Sequence, residues 1–237
     1  MLVKTKAIVL STVKFNEKSL IVKCFTLSDG IKSYFVASAY SSKKNSQKIA
    51  YFQPLNLLEI EAVHKNKGTL EYFKDLKIAY PYQTNSSNVY KSTLLLFVSE
   101  MLSNSILEEE KNENLFRFLE TALLWLDAHI EFANFHLILL LEATKFLGFY
   151  PDLSHIHEPF FDLTSGHFSI LQGVGCLSAH ETFLFQKLVQ LKFDSDQKVF
   201  AGVERQMLLK IILEYYTIHL DGFKKPKSLE VLKEVFS

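Results

Sequence analysis

Over the first eighty residues, apolar and polar positions alternate as they do in half-buried strands. After the polar stretch Thr84 to Asn88 the repeat lengthens to that of a helix. Residues 4 to 37 read as three consecutive antiparallel strands. Ile8 to Val13 form a β-branched run, Asn16 and Glu17 interrupt it, and Leu20 to Leu27 resume it. Ser28, Asp29 and Gly30 supply a turn, because glycine tolerates the positive φ of a tight hairpin and aspartate bonds back to its own backbone. Ile31 to Ala37 is the third strand. Ser41 to Lys48 is a polar loop without an apolar residue. Pro54 to Val63 then sets Leu58, Ile60 and Ala62 against Glu59 and Glu61, and a turn at Asn66 to Gly68 leads into a fifth strand over Thr69 to Tyr80. Five short strands in this length suit a closed barrel of the OB type, with an SH3-like barrel as the alternative.

Tyr80, Pro81 and Tyr82 mark a boundary, since proline ends the strand and the Ser and Asn residues that follow cap helices. Helical spacing then runs over residues 89 to 106 and 112 to 132. Phe135 to Leu147 is apolar almost all round and reads as a buried central helix, with Phe146 and Leu147 in the core and Gly148 as its C-terminal cap. Residues 151 to 175 are irregular, with a possible hairpin at Phe160 to Ile170. Helical periodicity returns at Ser178 to Leu191, at Gly202 to Leu220 and from Ser228.

The chain carries 26 basic and 26 acidic residues, and the even balance hides a division. Residues 1 to 80 hold 13 Lys against 6 acids, net +7, whereas the remainder holds 13 basic residues against 20 acids, net −7. Such asymmetry points to a polyanion-binding module joined to an acidic one. Two cysteines, Cys24 and Cys176, cannot build a disulfide framework, and no apolar run approaches the length that spans a bilayer. A reduced, cytoplasmic protein without a membrane span is expected.

Candidate chemistry is sparse. His155, His157, Cys176 and His180 have metal-ligand character but lack paired Cys-x-x-Cys spacing, so loop and surface histidines are the plainer reading. Cys176 and His180 lie one helical turn apart, yet no glycine-rich oxyanion turn surrounds them. Glu108 to Glu110 read as a solvated helix end. No catalytic residue, metal site or cofactor is expected. The lysines Lys6, Lys14, Lys32, Lys43, Lys44 and Lys48 are the candidate nucleic-acid contacts. Of the aromatics near the lysine loop, Tyr40 and Tyr51 are expected to be exposed, and Tyr40 joins the candidate set for base stacking.

Ile8-Val9-Leu10, Glu17 and Ser19, Phe25-Thr26 before Asp29-Gly30, Gly148 with Pro151, the helix holding Tyr215, Tyr216 and His219, and Lys227-Ser228-Leu229 together resemble the RecO family of bacterial recombination mediators. The resemblance implies an N-terminal OB-fold, a C-terminal helical domain and no enzymatic turnover. It further implies binding of single- and double-stranded DNA, strand annealing, and cooperation with RecR and the C-terminal tail of single-strand-binding protein in loading RecA. Two departures stand out. Many relatives carry two Cys-x-x-Cys pairs in the region of residues 151 to 180; here the first pair falls near Ile156 and Pro159 and only Cys176 remains, which makes the insertion a degenerate zinc-finger-like one without stoichiometric zinc, held instead by Phe160, Phe161, Leu163 and Phe168. The family's Gly and Arg after the third strand correspond to Ser38 and Tyr40.

The expected architecture is therefore α+β and multidomain. Residues 1–80 form a five-stranded OB-fold barrel that binds nucleic acid, and residues 81–237 form an all-α domain with an irregular segment at 151–175. The expected function is that of a DNA repair and recombination mediator. An interaction scaffold of the same fold with weak or lost DNA binding is one rival, and a thiol hydrolase built on Cys176 and His180 is the other.

Overall fold

The computed structural model describes residues 1–37, 39–40, 48–65, 69–107, 110–195 and 199–236. Of the sequence expectations, Ser38, Lys43, Lys44, the turn at 66–68 and the acids at 108–109 lie outside these residues. Lys48 opens a short 3-10 helix, Lys48–Phe52, and its side chain is not described.

The chain divides into two compact units. The first comprises residues 1–128 together with 226–236. Its strands are β1 (Leu2–Lys14), β2 (Leu20–Thr26), β3 (Gly30–Val36), β4 (Leu57–Val63) and β5 (Tyr72–Ile78), in the sheet order β3-β2-β1-β4-β5 with antiparallel neighbours. The outer strands meet in a parallel bridge at Tyr34 and Glu71, where the Phe35 N–H donates to the Glu71 carbonyl at 2.9 Å and the Glu71 N–H to the Ser33 carbonyl at 2.8 Å. That contact closes the sheet, in the OB manner, and removes part of its free edge.

Strand parity builds the core. Ala7, Val9, Val22, Cys24, Tyr34, Leu58, Ile60 and Ala62 point inward, and Phe52 joins them from the 3-10 helix. Tyr51, expected to be exposed, is half-buried against this cluster, because the helix that carries it packs onto the barrel core. Ile8, Leu10, Phe25 and Leu57 are buried as well. The helices α1 (Val89–Ser105) and α2 (Glu113–Ala128) belong to the same unit and meet this side of the strands. Phe116 lies 5.7 Å from Phe25 between ring centres, and the Ser99 hydroxyl donates to the Leu10 carbonyl. Burial on both faces is why β1 reads as a continuous apolar run.

Two carboxylates lock the helices in place. Asp127 accepts the backbone N–H groups of Gln83, Thr84 and Asn85 at 2.8–2.9 Å. Burial alone would raise its carboxyl, but those donors hold it below the usual aspartate range. Glu100 likewise takes the N–H groups of Lys227 and Ser228, each at 2.9 Å, and so anchors the start of the C-terminal helix Leu229–Val235 to α1.

The second unit, residues 129–225, contains α3 (Phe135–Leu147), α4 (Ala179–Gln190), α5 (Gly202–His219) and a hairpin of β6 (Phe160–Asp162) and β7 (His167–Ser169). The C-terminal helix Leu229–Val235 is thus α6. Gly148 ends α3 with φ of 86°, the left-handed value that suits glycine. Phe135 to Leu141 are all buried. Phe146 and Leu147, expected in the core, are half-buried, because the buried stripe ends at Thr144, one turn before the cap. In the irregular segment Phe161 packs 4.8 Å from Phe168 and 4.6 Å from Phe185 between ring centres, and Leu163 is buried, while Phe160 is half-buried. No helix is long and apolar enough to cross a membrane, among the described residues.

Candidate nucleic-acid interface

The β1–β2 hairpin, β3 and the entry to β5 bring one set of side chains to a single surface of the barrel. Phe15 follows β1, its N–H donating to the Ser19 carbonyl at 3.0 Å, and its ring meets Phe35 of β3 edge-on at 5.8 Å. Phe35 in turn meets Tyr72 at 6.1 Å, and the Lys65 ammonium stands 5.3 Å above the Tyr72 ring. Beside this row the Lys14 ammonium lies 5.6 Å from the ring centre of Tyr40, whose N–H donates to the Lys18 carbonyl at 3.3 Å. Phe15 is 59% exposed, Tyr72 47% and Tyr40 43%, which core packing does not explain. Lys14, Lys18 and Lys65 are exposed, with no carboxylate in ion-pair range among the described residues.

A buried polar chain beneath this surface fixes it. Tyr34, whose inward position leaves its neighbour Phe35 outward, places its hydroxyl 2.8 Å from Nε2 of His64, and Nδ1 of His64 lies 3.0 Å from Asp29. Burial first, and then the nearby Cys24, Asp29 and Glu71, push the Tyr34 phenol well above its ordinary range, so it stays neutral. Tyr34 also stacks on Phe73 at 4.1 Å. Glu71 is buried, and both of its carboxylate oxygens accept the Lys65 N–H at 2.9 Å, tying together the two ends of the β4–β5 connection.

The other strand lysines are engaged differently. Glu61 pairs with Lys4 at 3.2 Å and Lys74 at 2.8 Å, and Glu59 pairs with Lys77 at 2.8 Å. Hydrogen bonds from these lysines hold both glutamates below the ordinary carboxylate range. Lys6 binds Glu120 of α2 at 2.7 Å, and Lys23 donates to the Ser103 carbonyl of α1 at 2.6 Å, with burial lowering its pKa. Lys32 is buried opposite Cys24 on the inward side. Of the sequence-stated set, the structure brings Lys14 and Tyr40 together, sets Lys6 in an ion pair and puts Lys32 inside. Phe15, Lys65 and Tyr72 were not singled out. For Phe15 and Tyr72 the signal is an apolar residue at a solvent-side position in a short strand or turn, which becomes informative only once strand parity is known, and Lys65 carries no such signal.

In the second unit Sγ of Cys176 accepts the Gly173 N–H at 3.2 Å, and no Cys–His hydrogen bond forms among the described residues. Among the described residues, no three His, Cys, Asp or Glu side chains there converge on a metal-sized site.

The sequence matches two family models, Recombination protein O N terminal over residues 1–82 and Recombination protein O C terminal over residues 86–230. The chain belongs to the RecO family. Curated members named DNA repair protein RecO from Flavobacterium psychrophilum and Flavobacterium johnsoniae are 66% and 65% identical, and one from Christiangramia forsetii is 40% identical, each aligned over the full length of both chains. RecO membership accounts for the barrel followed by helices, and the N-terminal model ends just beyond β5, immediately before the segment that Asp127 holds.

Proposed function

We propose that this RecO-family chain is a DNA repair and recombination mediator that binds DNA without catalytic turnover and without a cofactor. In this reading residues 1–80 bind DNA and residues 81–237 engage protein partners. The chain anneals complementary strands in the cytoplasm and helps load RecA at gaps together with RecR and the tail of single-strand-binding protein. The observation that supports it is the row Phe15, Phe35, Tyr72 flanked by Lys14, Lys18 and Lys65. The exposed rings of Phe15 and Tyr72, with half-buried Phe35 between them, beside ammonium groups that have no carboxylate partner among the described residues, are what stacking on successive bases and neutralising phosphates require. The row lies between the β1–β2 and β4–β5 connections, the loops that OB modules use for oligonucleotides.

Fluorescence anisotropy with a labelled single-stranded oligonucleotide tests this. Binding is expected to be salt-dependent and to weaken about tenfold in Phe35→Ala, in line with roughly 1–3 kcal/mol per stacked base. No measurable binding at low salt overturns it.

A scaffold with weak DNA binding is the second reading. It is favoured by the ion pairs that neutralise Lys4, Lys6, Lys74 and Lys77. Under that reading the wild-type chain shows no preference for oligonucleotide over another polyanion such as heparin.

A further inference from the structure

The three rings of the aromatic row are set so that they cannot receive bases as a stack. Phe15 and Phe35 stand 5.8 Å apart between ring centres with their planes at 89°, and Phe35 and Tyr72 stand 6.1 Å apart at 73°. Neighbouring bases in a stacked strand lie parallel and about 3.4 Å apart. A ring that is nearly perpendicular to the next, and well beyond that spacing, can meet a base only after the base has parted from its neighbour.

Two features hold this arrangement. Phe35 is half-buried, its N–H is tied to the Glu71 carbonyl, and its register partner on β2 is the half-buried Ile21. Tyr34, the residue before it, is pinned from inside by His64 and Phe73. Ring and strand are positioned together, which leaves Phe35 little freedom to turn parallel to its neighbours. At Tyr72 the Lys65 ammonium stands over one face at 5.3 Å, and the Lys65 N–H is itself held by the Glu71 carboxylate. That ring has one face left, which gives room for a single base and no continuation of a stack through it.

We propose that the row accepts only an unstacked single strand, one base to a ring, and therefore favours pyrimidine-rich over purine-rich DNA, with Phe35 as the specificity-determining residue. The inference rests on the reading of the row as a DNA interface. Purines stack on one another more strongly than pyrimidines, so opening an adenine strand costs more than opening a thymine strand. The rings return a similar gain for either, because every base has a π-face. The preference thus comes from what the strand gives up on binding, and needs no hydrogen-bond readout of base edges. Phe35 sets it because it stands between the other two rings at a steep angle to both. Without it, no pair of adjoining rings remains to force neighbouring bases apart.

The test is a set of anisotropy titrations at one salt concentration with oligothymidine and oligodeoxyadenosine of equal length, on the full-length chain and on Phe35→Ala, Phe35→Tyr and Lys14→Glu. The wild-type chain should bind oligothymidine at least about fivefold tighter. Phe35→Ala should narrow that ratio to below about twofold, and Phe35→Tyr, which keeps the ring, should preserve it. Lys14→Glu should weaken both strands alike, since it removes a phosphate contact and no ring. Saturating protein should also reduce the stacked-base circular dichroism of oligodeoxyadenosine. Equal affinity for the two strands, tighter binding of oligodeoxyadenosine, a ratio unchanged in Phe35→Ala, or an unchanged dichroism at saturation overturns the proposal while leaving DNA binding in place. Failure of the wild-type chain to bind either strand overturns the reading beneath it as well.

Discussion

Two surfaces of the barrel carry lysines at similar density and have opposite electrostatic character. On the β1–β4–β5 side, Lys4, Lys74 and Lys77 each face a glutamate across a strand or along it, and Lys6 faces Glu120 of α2. On the side formed by the β1–β2 hairpin, β3 and the start of β5, Lys14 and Lys65 stand over tyrosine rings instead. A carboxylate cancels a lysine as a phosphate ligand, whereas a ring leaves its positive field available and adds a stacking face. The net charge of +7 over residues 1 to 80 therefore says less about DNA than where its partners sit.

The contrast presupposes that the barrel's third side is covered by α1 and α2, and its largest expected break comes there. Asp127→Ala removes the acceptor of three backbone N–H groups and the negative charge beside the buried Lys91 ammonium. A loss of about 3–5 kcal/mol in urea unfolding is expected. The pH dependence has a definite sign. The folded Asp127 carboxyl titrates below its unfolded value, so its contribution is full above the unfolded pKa of about 3.9 and is lost as pH falls through the folded one. Asp127→Asn should flatten acid unfolding in that window.

Next in size is the aromatic row. Phe15→Ala with Tyr72→Ala should weaken single-strand binding by about 2–4 kcal/mol if two bases stack there, with duplex binding reduced less. Equal losses on both forms would mean that the rings only shape the surface.

Charge variants sharpen the contrast from the other direction. Lys14→Glu with Lys65→Glu should lower the slope of log affinity against log salt by about 1.4, from roughly 0.7 for each phosphate. Lys4→Gln with Lys77→Gln should leave the slope within about 0.3 of wild type, because those ammonium groups are already neutralised. Unfolding of that second variant should change by less than about 1 kcal/mol, as exposed ion pairs do. The loop lysines Lys43 and Lys44 belong to the same series: their replacement by Glu should lower the slope by about 1 to 1.5 units with stability nearly unchanged.

Much of the fold was legible because its signals are local. The β-branched runs around Val9 and Val22, the Asp29-Gly30 turn, the end of β5 shortly before Pro81 and the Gly148 cap all act within a few residues and emerged where spacing put them. What the sequence hid is non-local. Lys6 meets Glu120 from 114 positions away, and nothing near either residue announces it. Lys32 looks like any surface lysine until the register sets it opposite Cys24, on the inward side. The sequence leaves Phe35 among the aromatics beside the lysine loop without an exposed position and gives Tyr72 no role, because their outward placement depends on parity on two strands joined through the bridge at Tyr34 and Glu71. Phe146 erred the other way, since an all-apolar helix gives no sign of where its buried stripe stops.

The most direct measurement is a salt series of anisotropy titrations with a fluorescein-labelled oligothymidine, comparing Phe35→Ala with Lys14→Glu/Lys65→Glu and with Lys4→Gln/Lys77→Gln. The expected result separates the three. Phe35→Ala loses affinity by about tenfold with its salt slope intact, the Lys14/Lys65 variant loses slope, and the Lys4/Lys77 variant matches wild type. A Lys4/Lys77 variant that loses slope while the Phe35 and Lys14/Lys65 variants bind as wild type would place DNA on the ion-paired side and contradict the assignment of the aromatic row.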